Sequence, residues 1–165
     1  MNSHIHKIME TIARYHVGLL PSDIVVSEAS SRLESRLQKF GDILSAPKTV
    51  GEFLKLKLSE RKNEHFAVLF LNTKHELICY EELFNGTVDG ATVLMRPLVQ
   101  RALKHNAAAI VIAHNHPSHS TVPSGADKAI TERIVGVLEQ LDVRVLDHFI
   151  VAGDKCLSFA EEGLL

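Results

Sequence analysis

Residues 106–127 read NAAAIVIAHNHPSHSTVPSGAD, and the rest of the chain can be interpreted outward from them. Two histidines one residue apart, His114 and His116, can aim both imidazoles at one metal ion, and Asp127 can complete the set after the loop. Two imidazoles and one carboxylate suit zinc, and a catalytic zinc site keeps three protein ligands and leaves a fourth position for water. Water in that position ionises with a pKa of about 7. The pattern therefore predicts a hydrolytic zinc centre with His114, His116 and Asp127 as ligands.

Each of these residues also has a simpler interpretation. A His-x-His pair alone is more often two loop histidines satisfied by water, and it is the spacing to Asp127 that favours ligation. Ser124 and Asp127 have the form of a capping box ahead of an apolar helix, and a carboxylate there suits the helix dipole. The two roles of Asp127 are compatible, because a helix start can orient a carboxylate whose oxygens bind metal.

Strand and helix patterns alternate along the chain. β-rich and apolar runs predict strands over 65–71, 77–84, 107–113, 143–151 and 156–159. Apolar residues at helical spacing predict helices over 50–61, 93–105 and 124–141. Thr49 and Glu52 have the form of a capping box at the start of the first of these helices. Strands mixed with helices at this spacing predict a three-layer α/β domain.

The N-terminal part of the chain is interpreted separately. Helical spacing predicts a short helix over 4–15 and a second helix that ends at Gly41. We therefore divide the chain into a helical N-terminal extension or linker, residues 1–46, and a core domain, residues 47–165.

Composition sets broader bounds on the class of protein. The chain has 165 residues, of which 45% are hydrophobic and 23% charged, as is ordinary for a soluble globular domain. No apolar run approaches the roughly 20 residues of a membrane span, and the N-terminus lacks the features of a secretory signal. Cys79 and Cys156 have no CxxC spacing and sit in strand-like segments, which favours buried free thiols over a disulfide. We expect a cytoplasmic protein with no membrane partner.

The charge balance bears on nucleic-acid binding. The formal net charge is −2, so no global basic field attracts nucleic acid. The densest basic patch comprises Lys55, Lys57, Arg61 and Lys62. A solvated helix face is the favoured interpretation of this patch, and a DNA contact is the alternative.

The motifs together resemble the JAB/MPN (JAMM) metallohydrolases, and within them the RadC-like domains. The RadC-like pattern is HNHPSG, then PS and a downstream acidic residue, and this chain reads HNHPSHSTVPSGAD. Similar signatures are the turn at 84–87, FNGT, and two C-terminal segments, 146–151 and 158–163. The likeness covers about Thr49 to Leu165. It implies a cytidine-deaminase-like fold, in which a mixed, curved sheet is flanked by helices. His119 departs from the pattern, since the family usually has glycine there.

The resemblance also implies roles for individual residues. It makes Asp127 the third zinc ligand, Glu64 the general base that takes a proton from water, and Ser124 the hydrogen-bond donor to the oxyanion. A lone Glu64 at a strand start is otherwise a solvated surface residue. Weaker candidates for the base are Glu60, Glu81 and Glu82. Arg96 matches a family arginine, and no role is assigned to it.

The roles of several further polar residues are less certain from the sequence. Asn115 and Ser118 are interpreted as loop formers, and His119 as a solvated side chain. Asp147 and His148 form an ionisable pair within a strand. His148 is either a hydrogen-bonded core histidine or a residue that orients a ligand imidazole through a hydrogen bond.

Three functions follow from these observations. The first is a zinc-dependent hydrolase that cleaves an amide bond, either peptide or isopeptide, in a peptide or protein substrate. The second is a DNA-associated RadC-like protein with a role in DNA repair or recombination, which the acidic balance does not favour. The third is a non-catalytic MPN-type interaction module. It is the least favoured of the three, because such modules typically lack the metal ligands and this chain retains them. Exposed sheet edges could support a homodimer.

Overall fold

The computed structural model describes residues 22–39, 47–86 and 93–165. The helices are α1 Ser22–Lys39, α2 Pro47–Leu58, α3 Met95–Lys104 and α4 Gly125–Glu139. The strands are β1 His65–Leu71, β2 Leu77–Asn85, β3 Ala109–Asn115, β4 Arg144–Ala152 and β5 Lys155–Ser158. The helix predicted over 4–15 and the helix end predicted at Gly41 lie outside the described residues.

The strands form one mixed sheet in the order β2-β1-β3-β4-β5. β1 runs antiparallel to both β2 and β3, and β5 runs antiparallel to β4. β3 and β4 are parallel, because α4 lies between them in the chain and returns it to the same end of the sheet. This arrangement places the end of β3, the start of α4 and the middle of β4 close together.

Helices cover both faces of the sheet. Side chains of β1 alternate between the faces, so Leu69 packs into the core beneath α2 and Phe70 into the core beneath α3 and α4. α2 contributes Phe53 and Leu54 to the first core, and α4 contributes Ile134 to the second. The three-layer prediction is confirmed, and the mixed sheet makes the domain α+β in the manner that the family resemblance implied.

The two cysteines lie in different layers. Cys79 packs against the core under α3 and α4, whereas Cys156 packs against the core under α2. Both are free thiols, as the sequence predicted, but both are half-buried where full burial was expected. Burial raises the pKa of the Cys156 thiol to about 12, which makes this thiol a poor nucleophile.

Local predictions were wrong at the start of α2 and at the ends of β3. Thr49 does not cap α2, because the helix already begins at Pro47 and Thr49 lies inside its first turn; a proline's fixed φ suits the first helical position. The strand predicted over 107–113 is β3, which begins and ends two residues later, at Ala109 and Asn115. The first predicted metal ligand is therefore part of the sheet and does not follow it.

α1 packs on α2, where Glu34 accepts a hydrogen bond of 3.5 Å from Lys57. The division of the chain at residue 46 stays a prediction. Across the three described ranges, no helix combines the length and the apolar character needed to cross a membrane.

Candidate metal centre

His114 and His116 are held by different kinds of backbone. His114 lies in β3, opposite Phe66 of β1 and Ile150 of β4, and its side chain is buried. His116 follows the strand, and its amide donates a hydrogen bond of 2.8 Å to the Val151 carbonyl. The backbone of His114 is thus fixed by strands on both sides, whereas that of His116 is attached to β4 by one hydrogen bond.

Three predicted ligand atoms converge at the end of β3. The Nε2 atoms of His114 and His116 are 2.9 Å apart. Asp127 Oδ1 lies 3.2 Å from His114 Nε2, and Oδ2 lies 3.5 Å from His116 Nε2. Tetrahedral zinc with bonds of about 2.0–2.1 Å separates its ligand atoms by about 3.3 Å, so the set fits this ion. Metal ligation by these residues stays a prediction.

A hydrogen bond fixes which nitrogen of His116 faces the candidate centre. His116 Nδ1 lies 2.7 Å from the Ser120 carbonyl oxygen, which can only accept, so the proton on that ring nitrogen is held there. A hydrogen bond to Asp127 raises the pKa of His116, more than burial lowers it. A proton and a metal ion therefore compete for His116 Nε2.

Asp127 is both a helix cap and a candidate ligand. Its backbone amide donates to Ser124 Oγ at 3.1 Å, and its Oδ2 accepts from the Ser124 amide at 2.6 Å, so the predicted capping box is confirmed. Burial acts to raise the pKa of this carboxyl, but the imidazoles of His114 and His116 hold it far below its usual range. The start of α4 thus presents an ionised carboxylate to the two histidines.

Glu64 lies in the segment immediately before β1. The residue is half-buried, and its carbonyl accepts a hydrogen bond of 2.8 Å from the Gly86 amide. Two residues later Phe66 lies opposite His114 in the sheet, so the backbone of Glu64 lies close to the end of β3. The role of Glu64 as the general base stays a prediction.

Asn115 connects the Glu64 segment to the metal loop. Its Oδ1 accepts from the His65 amide at 2.8 Å, and its Nδ2 donates to the carbonyls of Asn63 at 3.0 Å and Arg61 at 3.2 Å. The residues on both sides of Glu64 are therefore bound by one side chain that stands between the two histidines. The sequence interpretation of Asn115 as a loop former missed this role. Its position between the two histidines was the only feature of the sequence that could have indicated it.

Two of the three weaker candidates for the base, Glu81 and Glu82, are engaged elsewhere. Arg101 donates to both oxygens of Glu81, and His105 Nε2 lies 2.8 Å from the same carboxylate. Cys79, Glu81 and His105 could also hold a metal ion, but the guanidinium of Arg101 already neutralises this carboxylate. Glu82 accepts from Arg61 at 2.8 Å.

Asp147 and His148 point to opposite faces of β4. Asp147 accepts from Ser158 Oγ at 2.5 Å and from the Ala160 amide at 3.0 Å, so it holds the C-terminal turn, and burial raises its pKa. His148 Nε2 lies 2.8 Å from His114 Nδ1. Burial lowers the pKa of His148 well below its ordinary value, so the ring is neutral.

His119 adopts the backbone conformation that explains the family's glycine. Its φ is 58°, in the left-handed region where a side chain is unfavourable. Its exposed ring lies beside Gly153, where an added Cβ would stand 2.8 Å from Nδ1. His119 lines a cleft of about 280 Å³ together with His116 and Lys62.

Comparison with known proteins agrees with this architecture. The sequence model of the RadC-like JAB domain matches residues 23–164. A UPF0758 protein of Xanthomonas axonopodis pv. citri is 48% identical over 137 residues, which are 83% of this chain and 60% of that protein. A UPF0758 protein of Tolumonas auensis is 46% identical over 152 residues, 90% of this chain and 68% of that protein. The matched part of the chain thus spans about 60% of the first relative's length. The chain belongs to the RadC-like JAB domain family.

Proposed function

We propose that the protein is a zinc-dependent hydrolase of the JAMM type that cleaves an amide bond, either peptide or isopeptide. The observation that carries this proposal is the convergence of His114, His116 and Asp127 at distances that suit one tetrahedral zinc ion. An ionised carboxylate and imidazole nitrogens that face one another favour a cation between them. Three protein ligands leave the fourth position that a hydrolytic site requires.

The roles of Glu64 and Ser124 in this proposal are those that the family resemblance implies. Bound zinc supplies Lewis acidity and lowers the pKa of water to about 7. Glu64 takes the proton from the attacking water and returns it to the leaving amine. Ser124 uses its oxygen to accept from the Asp127 amide, so its own proton remains to be donated to the substrate carbonyl oxygen as negative charge develops there. Loss of one such donor costs about 3–4 kcal/mol in other hydrolases.

Removal and return of the metal test the proposal. We expect zinc-loaded protein to hydrolyse members of a panel of fluorogenic peptide amides and isopeptide-linked peptides. A chelator should abolish this hydrolysis, and stoichiometric zinc should restore it, because the ion generates the nucleophile. Hydrolysis that persists in the chelator, or its absence from the whole panel with fully loaded protein, would contradict the proposal.

Asn115 provides a test of how the base is held. Because one side chain binds both sides of Glu64, Asn115→Ala should lower turnover by about 100-fold, the effect of a displacement of about 1 Å. Zinc content should stay near that of the wild type, because all three ligands remain. Turnover and zinc content are measured on the same folded sample, with Ser118→Ala as the control in the same loop. A folded, zinc-loaded variant with normal turnover would show that Asn115 does not position Glu64.

The described residues give less support to a DNA-associated role. In the basic segment, Lys55 pairs with Glu52 at 3.2 Å, and Arg61 pairs with Glu82 at 2.8 Å. Paired cations release fewer counterions from DNA than free ones. A homodimer and a cytoplasmic location stay predictions.

A further inference from the structure

We propose that Thr131 and His148 are positioning residues, which hold the His114 ring in the tautomer whose bare Nε2 faces the metal centre. The inference rests on the proposed function in one respect, namely that His114 is a metal ligand. Its basis is a chain of short hydrogen bonds that begins at His114 and returns to the backbone of Asp127.

The direction of the chain is set by the Thr131 hydroxyl. Thr131 Oγ1 lies 2.6 Å from the Asp127 carbonyl oxygen, one turn earlier in α4. A carbonyl oxygen only accepts, so the single hydroxyl proton lies between these two oxygens. Thr131 Oγ1 also lies 2.6 Å from His148 Nδ1. Since its proton is already used, the hydroxyl accepts there, and His148 Nδ1 carries a hydrogen.

The His148 ring determines which nitrogen of His114 carries a hydrogen. The ring is fully buried, and it packs between Phe159 at 4.5 Å and Phe66 at 6.1 Å between ring centroids. No described carboxylate contacts it, so a charged imidazolium would be buried without a partner. A neutral ring has one N–H. With that hydrogen on Nδ1, His148 Nε2 is bare.

The chain of bonds thus fixes a hydrogen on His114 Nδ1. His148 Nε2 accepts at 2.8 Å, so His114 Nδ1 must donate the hydrogen. In a neutral imidazole the other nitrogen is then bare, and His114 Nε2 is the atom that faces His116 and Asp127. The chain thus joins one candidate ligand to the backbone of another and links β3, β4 and α4 around the centre.

The conservative pair Thr131→Val and Thr131→Ser separates this role from packing. Valine has the shape of threonine without the hydroxyl, so His148 loses its acceptor and can place its hydrogen on Nε2. His114 would then carry its hydrogen on the nitrogen that a metal needs. We expect Thr131→Val to weaken zinc binding by about 10- to 100-fold, as the loss of such outer partners does elsewhere. Thr131→Ser should bind zinc nearly as the wild type does.

Two measurements decide the matter. Zinc affinity is measured by competition with a chromophoric chelator, alongside urea unfolding of both variants. Long-range ¹H–¹⁵N NMR of the histidine rings in metal-free wild-type protein should show both His114 and His148 protonated on Nδ1. Equal zinc affinity in the valine variant and the wild type, equal losses in the valine and serine variants, or His148 protonated on Nε2 would each overturn the inference. A wild type that binds no zinc would instead contradict the proposed function, while the ring tautomers would still decide this inference.

Discussion

His116→Ala is expected to reduce the bound zinc from about one ion per chain to a trace, because it removes one of the three ligands proposed for the ion. The affinity should fall by more than the roughly 10- to 100-fold that follows loss of an outer partner. His116 is the appropriate residue to remove, because it lies outside the sheet and caps no helix. Metal content is measured by elemental analysis of protein purified without chelators.

A nearby imidazole supplies the matched control. His119→Gly removes an exposed imidazole from the same loop, and glycine suits the φ of 58° at this position. We expect this variant to keep its zinc. Asp127→Ala should also lose zinc, but it removes half of the capping box of α4 and will lower stability as well. Equal zinc loss in the His116 and His119 variants, or retention of zinc in His116→Ala, would reject the assigned ligand set.

Glu64→Gln is expected to lower turnover by about 10²- to 10⁴-fold while zinc remains bound, because general acid–base catalysis contributes about that much. Glutamine keeps the shape and the backbone contacts of the residue but cannot take up the proton from water. The variant is assayed on whichever peptide or isopeptide substrate the panel identifies, at equal zinc content.

Glu132→Gln is the control for the change of charge. Glu132 is an exposed glutamate in α4 to which no role is assigned. It should keep wild-type turnover. If Glu64→Gln retained full activity, Glu64 would be removed from the mechanism and the proton would have to pass through another group.

The strands were the most predictable part of the fold. The run His65–Leu71 was predicted and observed with the same bounds, because β1 is a central strand covered on both faces and therefore reads as continuously apolar. The start of α4 was also predictable, since the capping box at Ser124 is a purely local arrangement. A similar pattern at Thr49 gave a wrong start for α2, because Pro47, two residues earlier, is an equally local signal for the start of a helix.

The candidate site was predictable only where its residues are close in the chain or match a family motif. His114, His116 and Asp127 lie within one short segment, and their spacing indicates a metal. Thr131 was missed because a threonine inside an amphipathic helix carries no signal of function.

Local spacing within residues 106–127 was enough to predict the candidate metal ligands, since neighbours along the chain are constrained by strand and helix geometry alone. Folding determines which distant residues hold these side chains in place. Asn115 reaches Asn63, 52 residues away, and His114 reaches His148, 34 residues away. Those contacts exist because β1 and β4 pair with opposite edges of β3. Strand pairing depends on the burial of whole layers, so no short segment of sequence contains the information that brings these residues together.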